Sequence, residues 1–330
     1  MSTFASHYHG PGQEFQGFVP MEQIPEERAL ILDSAAPWDE AEQPEIVDWN
    51  SLRSMVENKI KERDAQRASG ICHWPWIVAR HFGLDYANPY QRVTDCAGFA
   101  TIASSEDTVL QQIADGARLD YIKYNPTPTW KLGRYDAGYN GGGATLGMML
   151  KSTNKYGCFP VSVAGDYDLN YNKSESYWRN MDSEGKRFQS SVCYLGNLKR
   201  QDMFDAVMMS CRAGLKVVMG SNRKMGAASY SNGIKVCGDG GSTAHATCLN
   251  AWREHNGKQY LFEKGSWGAY YKNGSMEREQ TPECGGWISQ DFVWQRTGTS
   301  FADFFVVVYS ESFSSKSDWN LLIPQITFPV

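Results

Sequence analysis

The stretch Asp95-Cys96-Ala97-Gly98-Phe99-Ala100 opens a segment, AGFATIASSEDTVLQQIADG, that reads as a helix: small residues first, then an amphipathic pattern, with Gly116 as its stop. A cysteine at a helix start sits among unpaired backbone N–H groups and at the positive end of the dipole. Both favour the thiolate, the reactive form of the residue. Small neighbours leave room for a substrate to approach. A buried structural cysteine would fit the same six residues, so the reading turns on whether the chain offers a base.

The candidate base is His245, in Ser242-Thr243-Ala244-His245-Ala246, behind a glycine-rich loop (Gly238, Gly240, Gly241) and at the start of a predicted strand. That is a rigid position, as a base acting on a thiol requires. Around it the second half of the chain reads as strands at 215–220, 245–252, 258–267 and 301–309, with Asn256-Gly257 as a hairpin turn. Further helices are expected at 50–69, at about 144–156 and at 199–213, by apolar periodicity and terminating glycines. Helices first and antiparallel strands later predict an α+β fold.

His245 lies 149 residues beyond Cys96 (245 − 96), within the interval of about 130–150 that separates nucleophile and base in papain and cathepsins. Four short matches occur in the right order. Gln91 precedes Cys96 as an oxyanion-hole glutamine would, Asn140-Gly141-Gly142 precedes a helix, His245 is followed by the small Ala246, and Lys264-Gly265-Ser266-Trp267-Gly268 follows a hairpin. Over about 180 residues the chain thus resembles the papain-like cysteine peptidases. The resemblance implies a helical half packed on an antiparallel, barrel-like half, with Cys96 as nucleophile and His245 as base. It also implies an oxyanion contact from Gln91, a substrate cleft along Asn140, Gly141 and Gly142, and Trp267 covering the site.

Three positions depart from the family pattern. Gly265 stands in the slot of the asparagine that orients the imidazole, so Glu263, on the same strand face, is expected to substitute, or else the Asn250 amide. Gln91 is five residues before Cys96, one fewer than in the family. Asp95 places a carboxylate beside the thiol, opposing the thiolate unless it turns away or binds backbone N–H groups.

The domain reading is an extended arm over 1–47, rich in proline and glycine, then a helix and connector over 48–90, a papain-like domain over 91–310, and a tail over 311–330. With 330 residues, 42% hydrophobic and 21% charged, the chain has a globular composition. A net charge of −5 from interspersed charges gives no footprint for nucleic acid or an anionic membrane. No apolar run reaches the roughly 20 residues of a spanning helix, and the first residues lack a signal pattern. Eight cysteines without a CxxC pair or zinc spacing suggest reduced thiols. The expected setting is cytoplasmic or within a viral or other assembly.

No cofactor or metal is required by this chemistry, and the expected partners are a peptide or protein substrate and a protein or assembly contacted by the arm. Four functions stay open: a thiol hydrolase, foremost a peptidase; a papain-like structural or binding module of a larger assembly such as a virion; an NlpC-type cell-wall hydrolase, since Asp-Cys-Ala-Gly-Phe resembles that family's Asp-Cys-Ser-Gly-Phe; and an acyltransferase using the same dyad.

Overall fold

The computed structural model describes residues 48–71, 74–86, 88–115, 121–140, 142–181, 190–231, 233–268, 281–299 and 302–310. The expected arm (1–47), the tail (311–330) and Gly141 lie outside these residues. The helices are α1 (Trp49–Ala68), α2 (Pro75–His81), α3 (Cys96–Ala114), α4 (Pro126–Asp136), α5 (Leu146–Tyr156), α6 (Val161–Ala164), α7 (Tyr167–Asn170), α8 (Glu175–Arg179), α9 (Arg200–Arg212) and α10 (Gln290–Thr297). The strands are β1 (Tyr124–Asn125), β2 (Phe159–Pro160), β3 (Ser190–Tyr194), β4 (Lys216–Ser231), β5 (Ile234–His255), β6 (Lys258–Lys264), β7 (Gly285–Ser289) and β8 (Asp303–Ser310). Helices dominate the first half and the sheet the second, the α+β order expected.

Six strands form one sheet in the order β3-β8-β4-β5-β6-β7, with antiparallel neighbours. The barrel-like half is corrected here to an open, partly curled sheet. Closure requires every strand to have two neighbours, and among the described residues β3 pairs only with β8. The curl comes from β5, which pairs with β6 and also meets β7 in parallel at Val236↔Trp287.

The glycine-rich segment before His245 is also corrected, from loop to strand: β4 and β5 form a long ribbon with register shifts at Ser221/Arg223 and Met225/Ala228. A Cβ built on Gly240 would lie 2.7 Å from the Met225 carbonyl oxygen, so glycine allows the two backbones to approach there. His245 therefore sits inside a strand, opposite Ser221, rather than at a strand start.

The sheet is buried on both faces, as the alternation of its side chains requires. Val217, Met219, Leu249, Phe304 and Val306 pack with α1 (Trp49, Leu52, Val56) and α9 (Ala206, Val207). Val218, Ala246, Phe305 and Val307 pack with Cys96, Ala97 and Ala100 of α3 and with α5. The cap of α1 is Asp48, whose Oδ2 accepts from the N–H groups of Asn50 at 3.0 Å and Ser51 at 3.4 Å.

The second half of α3 is buried on nearly all sides instead of amphipathic. Its acids point inward to buried partners. Asp107 accepts from Asn250 Nδ2 at 2.6 Å and Tyr86 Oη at 3.1 Å and lies 3.5 Å from Lys264 Nζ. Glu106 accepts the Tyr124 N–H at 2.8 Å. The adjacent charges Glu106 and Asp107 thus mark a buried network here and not a wet face. No helix among the described residues is long and apolar enough to cross a membrane.

Candidate active site

Cys96 is the first residue of α3, after Asp95 in the N-cap position, and is fully buried. Its Sγ accepts the backbone N–H of Ala246 at 3.4 Å, a contact spanning 150 residues. The helix start and the middle of β5 therefore meet at the thiol, one residue from His245. Two further segments converge there. Tyr90 bridges Trp267, and Gln91 N–H donates to the Ser266 carbonyl at 2.8 Å, which ties the approach to α3 to the Ser-Trp-Gly segment. Gly143 N–H donates to Thr94 Oγ1 at 3.1 Å, which ties the loop at 140–143 to the residues just before Cys96. Gly142 is exposed, with open space where a side chain would stand.

The imidazole of His245 lies against Trp267, with ring centroids 4.3 Å apart and planes 25° apart. Trp267 belongs to the apolar cluster under α1 and α9, whereas Cys96 and Ala246 belong to the cluster under α3. Neither His245 nitrogen has a hydrogen-bond partner among the described residues. Burial, with the nearby Arg296 and Lys224 charges, pulls His245 down to about 3, so the ring is neutral. Cys96 thus touches the residue next to His245, and among the described residues no hydrogen bond joins His245 to the thiol.

The supporting residues are spoken for. Glu263, expected to orient the imidazole, is instead held by Arg296 in a buried ion pair at 2.6 Å. The reason is topological: Glu263 pairs with Leu249, four positions along β5 from His245. Asn250 is drawn away in the same manner, donating to Tyr86 and Asp107. At Gly265 only the backbone is bound: its carbonyl accepts from Asn88 Nδ2 at 3.0 Å and its N–H donates to the Cys284 carbonyl at 2.8 Å. Asn88 is the amide side chain beside the vacant slot, and no short motif announced it. Gln91 is fully buried; its Nε2 donates to the Val93 carbonyl at 3.0 Å and its Oε1 accepts from Ser266 Oγ.

The Asp95 carboxylate makes no cap bond to α3; it is fully buried, with the Tyr167 hydroxyl and its own backbone N–H beside it. Burial pushes the carboxyl up to about 8, with Tyr167 acting against the rise. The Tyr167 hydroxyl accepts the Arg92 N–H at 2.6 Å. At neutral pH the acid beside the thiol is therefore largely uncharged and does not oppose a thiolate.

The seven described cysteines are free thiols. Burial pushes Cys158, Cys193, Cys211 and Cys237 up to about 12, which makes them inert. Among the described residues no group of three or more His, Cys, Asp or Glu side chains is placed to hold a metal ion.

No protein-family model matches the chain, and no curated protein does. Solved structures do, and many are papain-like cysteine proteases. Xylellain, a cysteine protease from Xylella fastidiosa, matches at a TM-score of 0.46 and 14% identity, over 68% of this chain and 82% of that one. The proform of the ragweed pollen allergen Amb a 11, a cysteine protease, matches at 0.47 and 13%, over 76% and 62%. Procathepsin L 3 of the Tenebrio molitor larval midgut matches at 0.39 and 11%, over 86% and 99%. Such scores and identities amount to a likeness, and the chemistry of the site rests on the contacts within this chain.

Proposed function

We propose that this protein is a papain-like thiol hydrolase, a peptidase acting through Cys96 and His245. The observation that carries the reading is the Cys96 Sγ to Ala246 N–H contact at 3.4 Å. It supports a nucleophile at a helix start joined to the strand of a neutral histidine. In the proposed reaction the neutral imidazole, turned from Trp267 toward the thiol, takes the Cys96 proton, and the thiolate attacks the substrate carbonyl. The Cys96 N–H, with the Gln91 Nε2 proton not used on Val93, stabilises the oxyanion. The C–N bond then breaks as His245 returns its proton to the leaving amine. Water, deprotonated by His245, hydrolyses the thioester and restores the thiol. Asn140, Gly141 and Gly142 border the substrate, and the open space at Gly142 supports that assignment.

A second reading, a papain-like module that binds without turnover, is favoured by one specific observation: His245 is buried, unpartnered among the described residues and held near 3, with Gly265 where an orienting side chain would stand. One experiment separates the two. A peptidyl epoxide at neutral pH is expected to label Cys96 alone in the wild type and not in His245→Ala. Iodoacetamide reacting with Cys96 no faster than with an ordinary thiol overturns the hydrolase reading and leaves the binding module.

A further inference from the structure

Between α1 and the sheet lies a cavity of about 30 Å³, whose walls include Arg63, Arg67, Gln111, Lys216, Asn250 and Trp252. It is separate from the Cys96 site. Three of these residues are cations, and among its described lining residues none is a carboxylate. Two of the cations are matched close by: Arg63 Nη2 pairs with Asp115 at 2.6 Å, and Arg67 Nη2 pairs with Asp64 at 2.5 Å. Asp64 also takes Arg212 at 2.6 Å.

Lys216 differs. It is 1% exposed, and among the described residues its Nζ donates only to neutral oxygens, the Asn250 carbonyl at 3.0 Å and Gln111 Oε1 at 3.4 Å. Asp107, the carboxylate that acts on it through space, is already engaged by Lys264. A buried ammonium without a counter-ion is costly, and Lys216 is accordingly pulled down to about 8 by its burial. Asn250, also on the wall, has a buried acceptor, Oδ1, with no partner among the described residues. About 10–15 Å³ holds one water-sized sphere, so the cavity has room for two: an ion at Lys216 and a water serving Asn250 Oδ1.

We propose that this cavity binds one small monovalent inorganic anion of halide size, which completes an ion pair with the Lys216 ammonium. The arginines on the wall, Arg63 and Arg67, add a positive field, and Arg67 lies over the Trp252 ring at 4.7 Å from its centroid. The proposal is independent of any activity at Cys96.

The test uses the full chain at neutral pH and constant ionic strength, with sodium bromide or chloride exchanged for sodium gluconate, whose anion is too large to enter. Tm is expected to rise saturably with halide, by about 2–4 °C for each kcal/mol of binding free energy, and this dependence is expected to vanish in Lys216→Met. Crystals grown with bromide should show an anomalous peak in the cavity within hydrogen-bonding distance of Lys216 Nζ. Water alone at that place, bromide at surface positions only, or a halide dependence unchanged in Lys216→Met overturns the proposal. If Lys216→Met does not fold, the bromide map of the wild type decides.

Discussion

Asp95 and His245 each precede one partner of the Cys96–Ala246 contact, and burial moves their titrations in opposite directions. His245 falls from 6.5 to about 3, so the native state holds fewer protons than the unfolded state between those values. Its contribution to stability is present above pH 6.5 and is lost as pH falls toward 3. His245→Phe is expected to flatten the acid limb of a urea-midpoint profile, removing at most about 1.4 kcal/mol per pH unit in that window. Asp95 rises from 3.8 to about 8, so its contribution is full below pH 3.8 and is lost as pH climbs through 8. Asp95→Asn is expected to gain stability over the wild type on passing from pH 4 to pH 8. Parallel profiles for the two proteins would mean that the carboxyl already has a partner. The pairing of Cys96 with the His245 segment was legible in the sequence because it rested on spacing and local signals. The fate of Glu263 was not, because strand alternation gives the face on which a side chain stands and not the neighbour it meets there. Arg296, which claims it, is 33 residues away on α10.

Among the elements, the β5–β6 hairpin is legible directly in Asn256-Gly257, and both residues have positive φ, 51° and 72°. Gly257→Ala is expected to cost about 1–2 kcal/mol, read as a lower thermal midpoint with the fold intact by circular dichroism. The buried pair across α10 and β6 behaves differently. Arg296→Met leaves Glu263 charged and alone, with an expected cost of about 3–5 kcal/mol, while Arg296→Met combined with Glu263→Leu should recover most of it. Equal losses in the single and double variants would mean that packing, and not charge, governs the site. The four longest helices expected from the sequence stand within a few residues of their expected ends, since a glycine or a change of period marks each boundary. The short strands β3 and β7 escape such a reading: SSVCY and GGWIS are too brief to show alternation, and their pairing partners supply the order that local pattern lacks. Lys216 stands in the strand predicted at 215–220, and only the tertiary arrangement reveals its burial.

At the scale of the molecule, the helix that opens the segment over 48–90 contributes to the core. Trp49, Leu52 and Val56 share one apolar cluster with the sheet and α9. Leu52→Ala is therefore expected to destabilise the whole protein by about 2–5 kcal/mol, with circular dichroism and tryptophan fluorescence reporting one coincident transition. Two separate transitions would mark α1 as an independent unit. The strand order has a consequence for biosynthesis. In β3-β8-β4 the strand between β3 and the rest of the sheet is the last of the described strands to be made. Until residues 303–310 emerge from the ribosome, β3 has no partner and β4 carries an open edge of the kind that pairs with other chains. A nascent chain halted before residue 303 would have Cys96 and His245 already synthesised, yet would present an adhesive strand to its neighbours. Completion of the sheet is thus postponed until β8 has been made and can slot between strands that have been waiting for it.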